Sequence, residues 1–216
     1  FRIGINGYHG SNNSGLSFYP SALFNFKKYF YIYLYPRIVT NKDIFDRYTG
    51  LLRYYSRTGE TDLSGVGFEN DWLILQLGRG RQSWGAGNNI QIAISENSPS
   101  YYYGLAQIKF QNIKFRYFHG FLEHKNDYSR YITGRGIEWT NEKSMIVSLS
   151  EVVIYSGLNR AIDFAYFNPV SSHLEIEMNE RQNQPSGKNA NGVWQFSLDL
   201  KTKNSFRMSC NLLIDE

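Results

Sequence analysis

The chain has 216 residues, a formal charge of +4 and a pI near 9.0, with 42% hydrophobic and only 19% charged residues. That balance excludes intrinsic disorder, and Lys and Arg are too scattered to form a nucleic-acid-binding stripe. No run approaches the roughly 18 apolar residues of a helical membrane span, and the single Cys210 excludes a disulfide framework or a Cys-based zinc site.

Taken in chain order, period-two alternation dominates. A weak strand runs from Phe1 to Tyr8. Phe30, Ile32 and Leu34 then alternate with Tyr29, Tyr31, Tyr33 and Tyr35, giving one apolar face and one face of hydroxyl-tipped rings. Next, Ile44, Phe45, Tyr48, Leu51, Leu52 and Tyr55 fall at helical spacing, with Asn41 or Asp43 as N-cap and Gly59 beyond the end. The spacing predicts one short helix near 42–57. Trp72 to Arg79 reads as a strand, followed by Gly78-Arg79-Gly80-Arg81-Gln82-Ser83-Trp84-Gly85-Ala86-Gly87. Its glycine spacing is not the dinucleotide-binding pattern, so it is read as a tight turn fixing two cations and a ring.

The second half alternates more cleanly. Ile90, Ile92 and Ile94 form one row, Ala106, Ile108 and Phe110 the next, with Trp194 to Leu200 and Phe206 to Ile214 at the end. Weaker strands cover Ile113 to Leu122, Tyr131 to Thr140 and Ser144 to Tyr155. The predicted connections are Asn97 to Tyr102, Asn112, Glu123 to Arg130, Asn141 to Lys143, Ser156 to Gly192 and Thr202 to Asn204. Long and tight connections alternate between ten-residue strands, as in an up-and-down outer-membrane barrel. The aromatic content of 17% fits, because Tyr and Trp gather at membrane interfaces; Tyr101 to Tyr103, Tyr117, Tyr155 and Trp194 lie near strand ends. A soluble β-sandwich shares the alternation but has shorter strands, and it stays open as an alternative.

Catalytic patterns are weak. His119, His124, His173, Ser95, Ser172 and Asp163 supply residue types for a Ser-His-Asp arrangement without its spacing, and Gly-x-Ser-x-Gly is absent. His119 and His124, five apart in a strand, point to opposite faces, so no metal site is expected. Glu138, Glu151, Glu175 and Glu177 are read more simply as partners of Arg79, Arg81, Arg135 or Arg160 than as a glycosidase pair.

Several ordered motifs carry a resemblance. Gly78-Arg79 through Trp84-Gly85-Ala86-Gly87, Ser95-Glu96-Asn97-Ser98-Pro99, Ser150-Glu151-Val152-Val153-Ile154-Tyr155, and Asn159-Arg160 to Tyr166-Phe167-Asn168-Pro169 with His173 and Glu175 resemble the Wzi-type capsule-assembly family over roughly residues 70–200. The resemblance implies a Gram-negative outer-membrane β-barrel, eighteen-stranded when complete, which associates with capsular or other surface polysaccharide without enzymatic activity or cofactor. The expected fold is therefore all-β: an antiparallel up-and-down transmembrane β-barrel, partial, with ten to twelve strands in one domain spanning 1–216 and truncated at both ends.

Three further expectations follow. The apolar rows, Ile90, Ile92 and Ile94 included, should lie on a convex face toward outer-membrane lipid. Arg79, Arg81, Glu151, Arg160 and Glu175 should form one lumen-facing ion-pair network packed by Trp84 and Tyr166, with Tyr155, Asn159, Asn168 and His173 completing a polysaccharide-binding set. The path of the loop from Ser156 to Gly192 should separate the two functions: a loop that closes the lumen would favour an anchor over the alternative, a channel for small polar solutes.

Overall fold

The computed structural model describes residues 2–9, 14–41, 44, 52–53, 57–86, 92–178, 190–202 and 206–215. Twelve antiparallel strands make one sheet. They are β1 (Arg2–His9), β2 (Ser14–Phe26), β3 (Phe30–Val39), β4 (Leu52–Arg53), β5 (Arg57–Glu69), β6 (Leu73–Gly80), β7 (Tyr101–Phe110), β8 (Ile113–Lys125), β9 (Tyr128–Thr140), β10 (Met145–Leu158), β11 (Ala190–Lys201) and β12 (Arg207–Asp215). Eleven of them pair with their sequence neighbours in an up-and-down order from β1 to β12, and β4 hangs on β5 as a short hairpin. The path does not close, because β1 and β12 are not paired with each other among the described residues.

Directly paired residues share a face, so the register sorts the sheet into two surfaces. One row runs Tyr33, Gly65, Gly78, Tyr103, Gly120, Ile132, Ile154 and Asn191 from β3 to β11. The segment after β6 crosses this face: Trp84 meets Phe118 of β8 edge-to-face at 5.3 Å, and Ala86 exchanges hydrogen bonds with Asn211 of β12 at 2.8 and 2.9 Å. A short segment can reach from β8 to β12 only if the sheet curls toward it, which makes this face concave. Ser197 and Asp199 are buried on it.

The opposite, convex face carries Phe24, Phe30, Ile32, Leu34, Val66, Leu75, Leu77, Ile108, Phe110, Phe115, Leu149, Phe196 and Leu212, all exposed. That is far beyond the few hundred Å² of contiguous apolar surface usual on a soluble monomer. The accessible surface of 14304 Å² exceeds the roughly 10,000 Å² expected of a compact soluble protein of 25.1 kDa. Rows also climb across the sheet. The row that starts at Phe30, the first residue of β3, passes Phe68, Leu75, Ala106, Tyr117, Arg135 and Glu151 to reach Trp194, seven residues before the end of β11. Such stagger is what tilted barrel strands produce.

Four expectations change. Within 42–57, Leu52–Arg53 and Arg57 are strand, and the rest of the proposed helix, Ile44 excepted, lies outside the described residues. The one described α-helix is α1 (His173–Met178). Residues 92–95 form no strand; Ile94 makes a single bridge to Trp84 and is buried on the concave side, because a three-residue apolar alternation cannot compete with filling the space under Trp84. Ile90 lies outside the described residues, and Ile92 is exposed in a bend. The expected loop Glu123 to Arg130 is a tight hairpin, since β8 and β9 keep pairing to Lys125 and Tyr128 and leave only Asn126 and Asp127, both at positive φ, to turn. Finally, β2 and β5 pair as full strands although neither was expected; β5 sets Gly65 and Gly67 against Tyr33 and Tyr31 of β3 on its concave side and carries Val66 and Phe68 on the other.

Candidate functional site

The concave face has two parts. Beside β3 lie the rings of Tyr31 and Tyr33, alternate residues of one strand and therefore on one side of it. They settle over glycines of the next strands: an added Cβ at Gly67 would strike the Tyr31 ring, and one at Gly65 or Gly78 would come within 2.7 Å of the Tyr33 hydroxyl. Gln76 donates to Tyr33 Oη at 2.9 Å, and the Tyr33 and Tyr103 hydroxyls lie 3.5 Å apart. The glycines are thus a floor that lets phenol rings lie along the sheet. Gly67→Ala should therefore cost about 1–3 kcal/mol through overpacking, and the loss should shrink when Tyr31→Ser is added. Denaturant unfolding of the two variants measures it.

Further along, Trp84, Ile94, Tyr101, Tyr103, Phe118, Ile132 and Val152 form the concave core. Next to it a cavity of about 280 Å³ is lined by Trp84, Lys114, Arg116, Glu138, Ser150, Asp199 and Arg207 among others. Four of its charges are matched in pairs: Lys114 meets Glu138 at 2.5 Å, and Arg207 binds Asp199 through two nitrogens. Arg116 lies over the Trp84 ring at 5.5 Å. Trp84 itself is only 7% exposed, so it anchors the crossing segment rather than offering a ring to a ligand.

The expected lumen network divides into separate groups. Arg81 forks onto Asp62 at 2.6 and 3.2 Å and donates to Ser98 O, while Arg79 reaches Ser100 Oγ at 3.0 Å and Glu60 at 3.6 Å. Glu151 sits on the convex face, because its pairing with Arg135 and Trp194 places it opposite Ser150 and Val152. There it binds Arg135 Nε at 2.6 Å and accepts from His173 Nδ1 at 2.7 Å and from the His173 backbone N–H at 3.1 Å. An ionised carboxylate only accepts, so Nδ1 carries the ring proton. Arg160 pairs with Asp163 at 3.6 Å and covers the Tyr155 ring at 4.6 Å. Glu175 is exposed on α1. Arg79 shares the convex face with Glu151, in the row through Tyr102, Phe121, Tyr131 and Tyr155, but β6 and β10 are not neighbours, so each charge pairs locally.

The segment from residue 159 to 178 therefore does not lie on the concave face. Asn159, at φ 51°, turns the chain after β10, and residues 160–176 fold back over the convex side of β8–β11. Tyr155 is stacked between Tyr131 (4.9 Å) and Tyr166 (4.4 Å), and its hydroxyl meets His119 Nε2 at 2.8 Å. Phe167, in a 3-10 turn over Phe164–Phe167, stacks on His119 at 4.6 Å. Asn168 closes the next turn, accepting from Val170 N–H and donating to Ser171 Oγ. His124 lies apart from His119, against Ser129. Of the partners here, Asp62, Glu60 and Tyr131 were not singled out in the sequence. Arg135 opposite Glu151 was accessible: a turn centred near residue 143 pairs positions equally distant from it, and both are eight away.

Comparison with family models, curated proteins and solved structures finds no match to this chain.

Proposed function

We propose that the chain is a non-enzymatic outer-membrane β-barrel protein that holds or guides a surface polysaccharide. The observation that carries the membrane part is the exposed apolar convex face set against a polar, aromatic concave face, the pattern of a lipid-facing wall around a wet lumen. A soluble sandwich would need a second sheet over those rows. The polysaccharide part leans on the resemblance to the capsule-assembly family, and the concave chemistry agrees with it. Tyr31, Tyr33 and Tyr35 offer ring faces, and the Tyr, Gln and Ser side chains around them offer hydroxyl and amide hydrogen bonds for sugars. Charged side chains of both signs line the cavity beside Trp84.

The crossing segment favours an anchor over a channel, since Trp84 and Ile94 fill the concave side between β6 and β12. Deleting the gene and measuring cell-bound against shed polysaccharide tests the reading, with single-channel recording on the purified protein. Shedding with little conductance is expected; unchanged retention together with a stable open pore would leave the channel in its place.

A further inference from the structure

The apolar wall has uneven height. On β2 its convex side chains run from Phe26 to Leu16, ten residues, about 33 Å along the strand and about 25 Å once a barrel tilt near 40° is allowed, the height of an outer-membrane apolar band. On β10 the same side runs only from Met145 to Leu149 before Glu151, about 13 Å along the strand. Above that point the wall shows Tyr117, His119, Arg135 and Glu151, which would be costly to place against lipid.

The segment 159–178 covers that gap. We infer that it is a lipid-facing strap that completes the apolar belt over β8–β11, its occupant being the acyl chains and headgroup boundary of the bilayer. Two independent features point outward and inward respectively. Outward, Ile162, Phe164, Phe167, Val170 and Leu174 are exposed, Phe164 at 79% and Val170 at 88%, in continuity with Leu149 and Phe196 below. Inward, the wall satisfies the strap's backbone. Tyr131 Oη donates to Arg160 O (3.0 Å), Tyr117 Oη to Tyr166 O (2.9 Å) and Arg135 Nη1 to Asn168 O (2.9 Å) and to Ser171 O, while the His173 N–H reaches Glu151 (3.1 Å). Irregular backbone is tolerated beside lipid only when protein meets its polar groups, and here side chains of the wall meet them one by one.

The inference rests on the membrane reading, and one experiment separates the two. On a Cys210→Ser background, Leu149→Cys, Phe164→Cys, Val170→Cys and Glu142→Cys are labelled with an environment-sensitive fluorophore and the full chain is reconstituted in phosphatidylcholine vesicles with or without brominated lipid. Blue-shifted emission, quenched by brominated lipid at Phe164 and Val170 to an extent comparable with Leu149, and iodide quenching only at Glu142, is the expected result. Quenching by lipid at Leu149 with iodide quenching at both strap positions would overturn the strap and leave the embedded sheet. Iodide quenching at all four sites would overturn both. Strap labels shielded from lipid and iodide alike would overturn the lipid assignment in favour of a protein neighbour.

Discussion

Arg135→Ala should destabilise the protein by about 3–5 kcal/mol, the cost of leaving a buried carboxylate without its cation. Glu151 has no exposed side-chain surface and Arg135 has 8%, so water cannot replace the lost partner. The same arginine supplies Asn168 O and Ser171 O, and losing it frees the strap as well as stranding Glu151. Replacing both members by apolar residues of similar size, Arg135→Met with Glu151→Leu, should cost much less than the single change, because no charge is then left buried. Urea unfolding of the three variants in lipid vesicles measures this. A single variant as stable as the double would show that the pair contributes nothing to holding the strap.

Trp84→Ala should be comparably damaging, about 3–5 kcal/mol for emptying a large buried side chain. The ring packs on Phe118, lies under Arg116 and closes the bridge to Ile94, while Gln195 Nε2 donates to the Trp84 carbonyl at 3.4 Å. It is the point where the crossing segment is fixed to β8 and β11. Losing it should loosen the segment and raise conductance in planar bilayers along with the fall in stability. Trp84→Phe, which keeps a ring against Phe118, should retain most of both properties. An Ala variant that is unstable yet still blocked would mean that the segment is held elsewhere.

The alternation of Phe30, Ile32 and Leu34 against four tyrosines was readable because a strand with one wet face writes its burial directly into period two. The tight turns at Asn112 and Asn141 to Lys143 were readable for the same reason, as interruptions of that period. β5 was not, since Gly65 and Gly67 are selected by the rings lying over them, and those rings belong to β3. The division of the charged residues failed differently. Glu151 differs from Ser150 only by one step along β10, yet that step moves it from the concave to the convex face, and a list of charged residues carries no register. The strap was hidden because Tyr166, His173 and Ile176 pack on residues of β9, β10 and β11 that become neighbours only once the sheet has formed.

The central claim is that the convex face meets lipid and the concave face meets water. Single spin labels at successive positions 30–35 of β3, on the Cys210→Ser background in reconstituted vesicles, test it by relative collision with oxygen, which concentrates in lipid, and with a water-soluble nickel chelate. The account predicts oxygen dominance at Phe30, Ile32 and Leu34 and chelate dominance at Tyr31, Tyr33 and Tyr35. Equal chelate access at all six positions, or the opposite alternation, would contradict it.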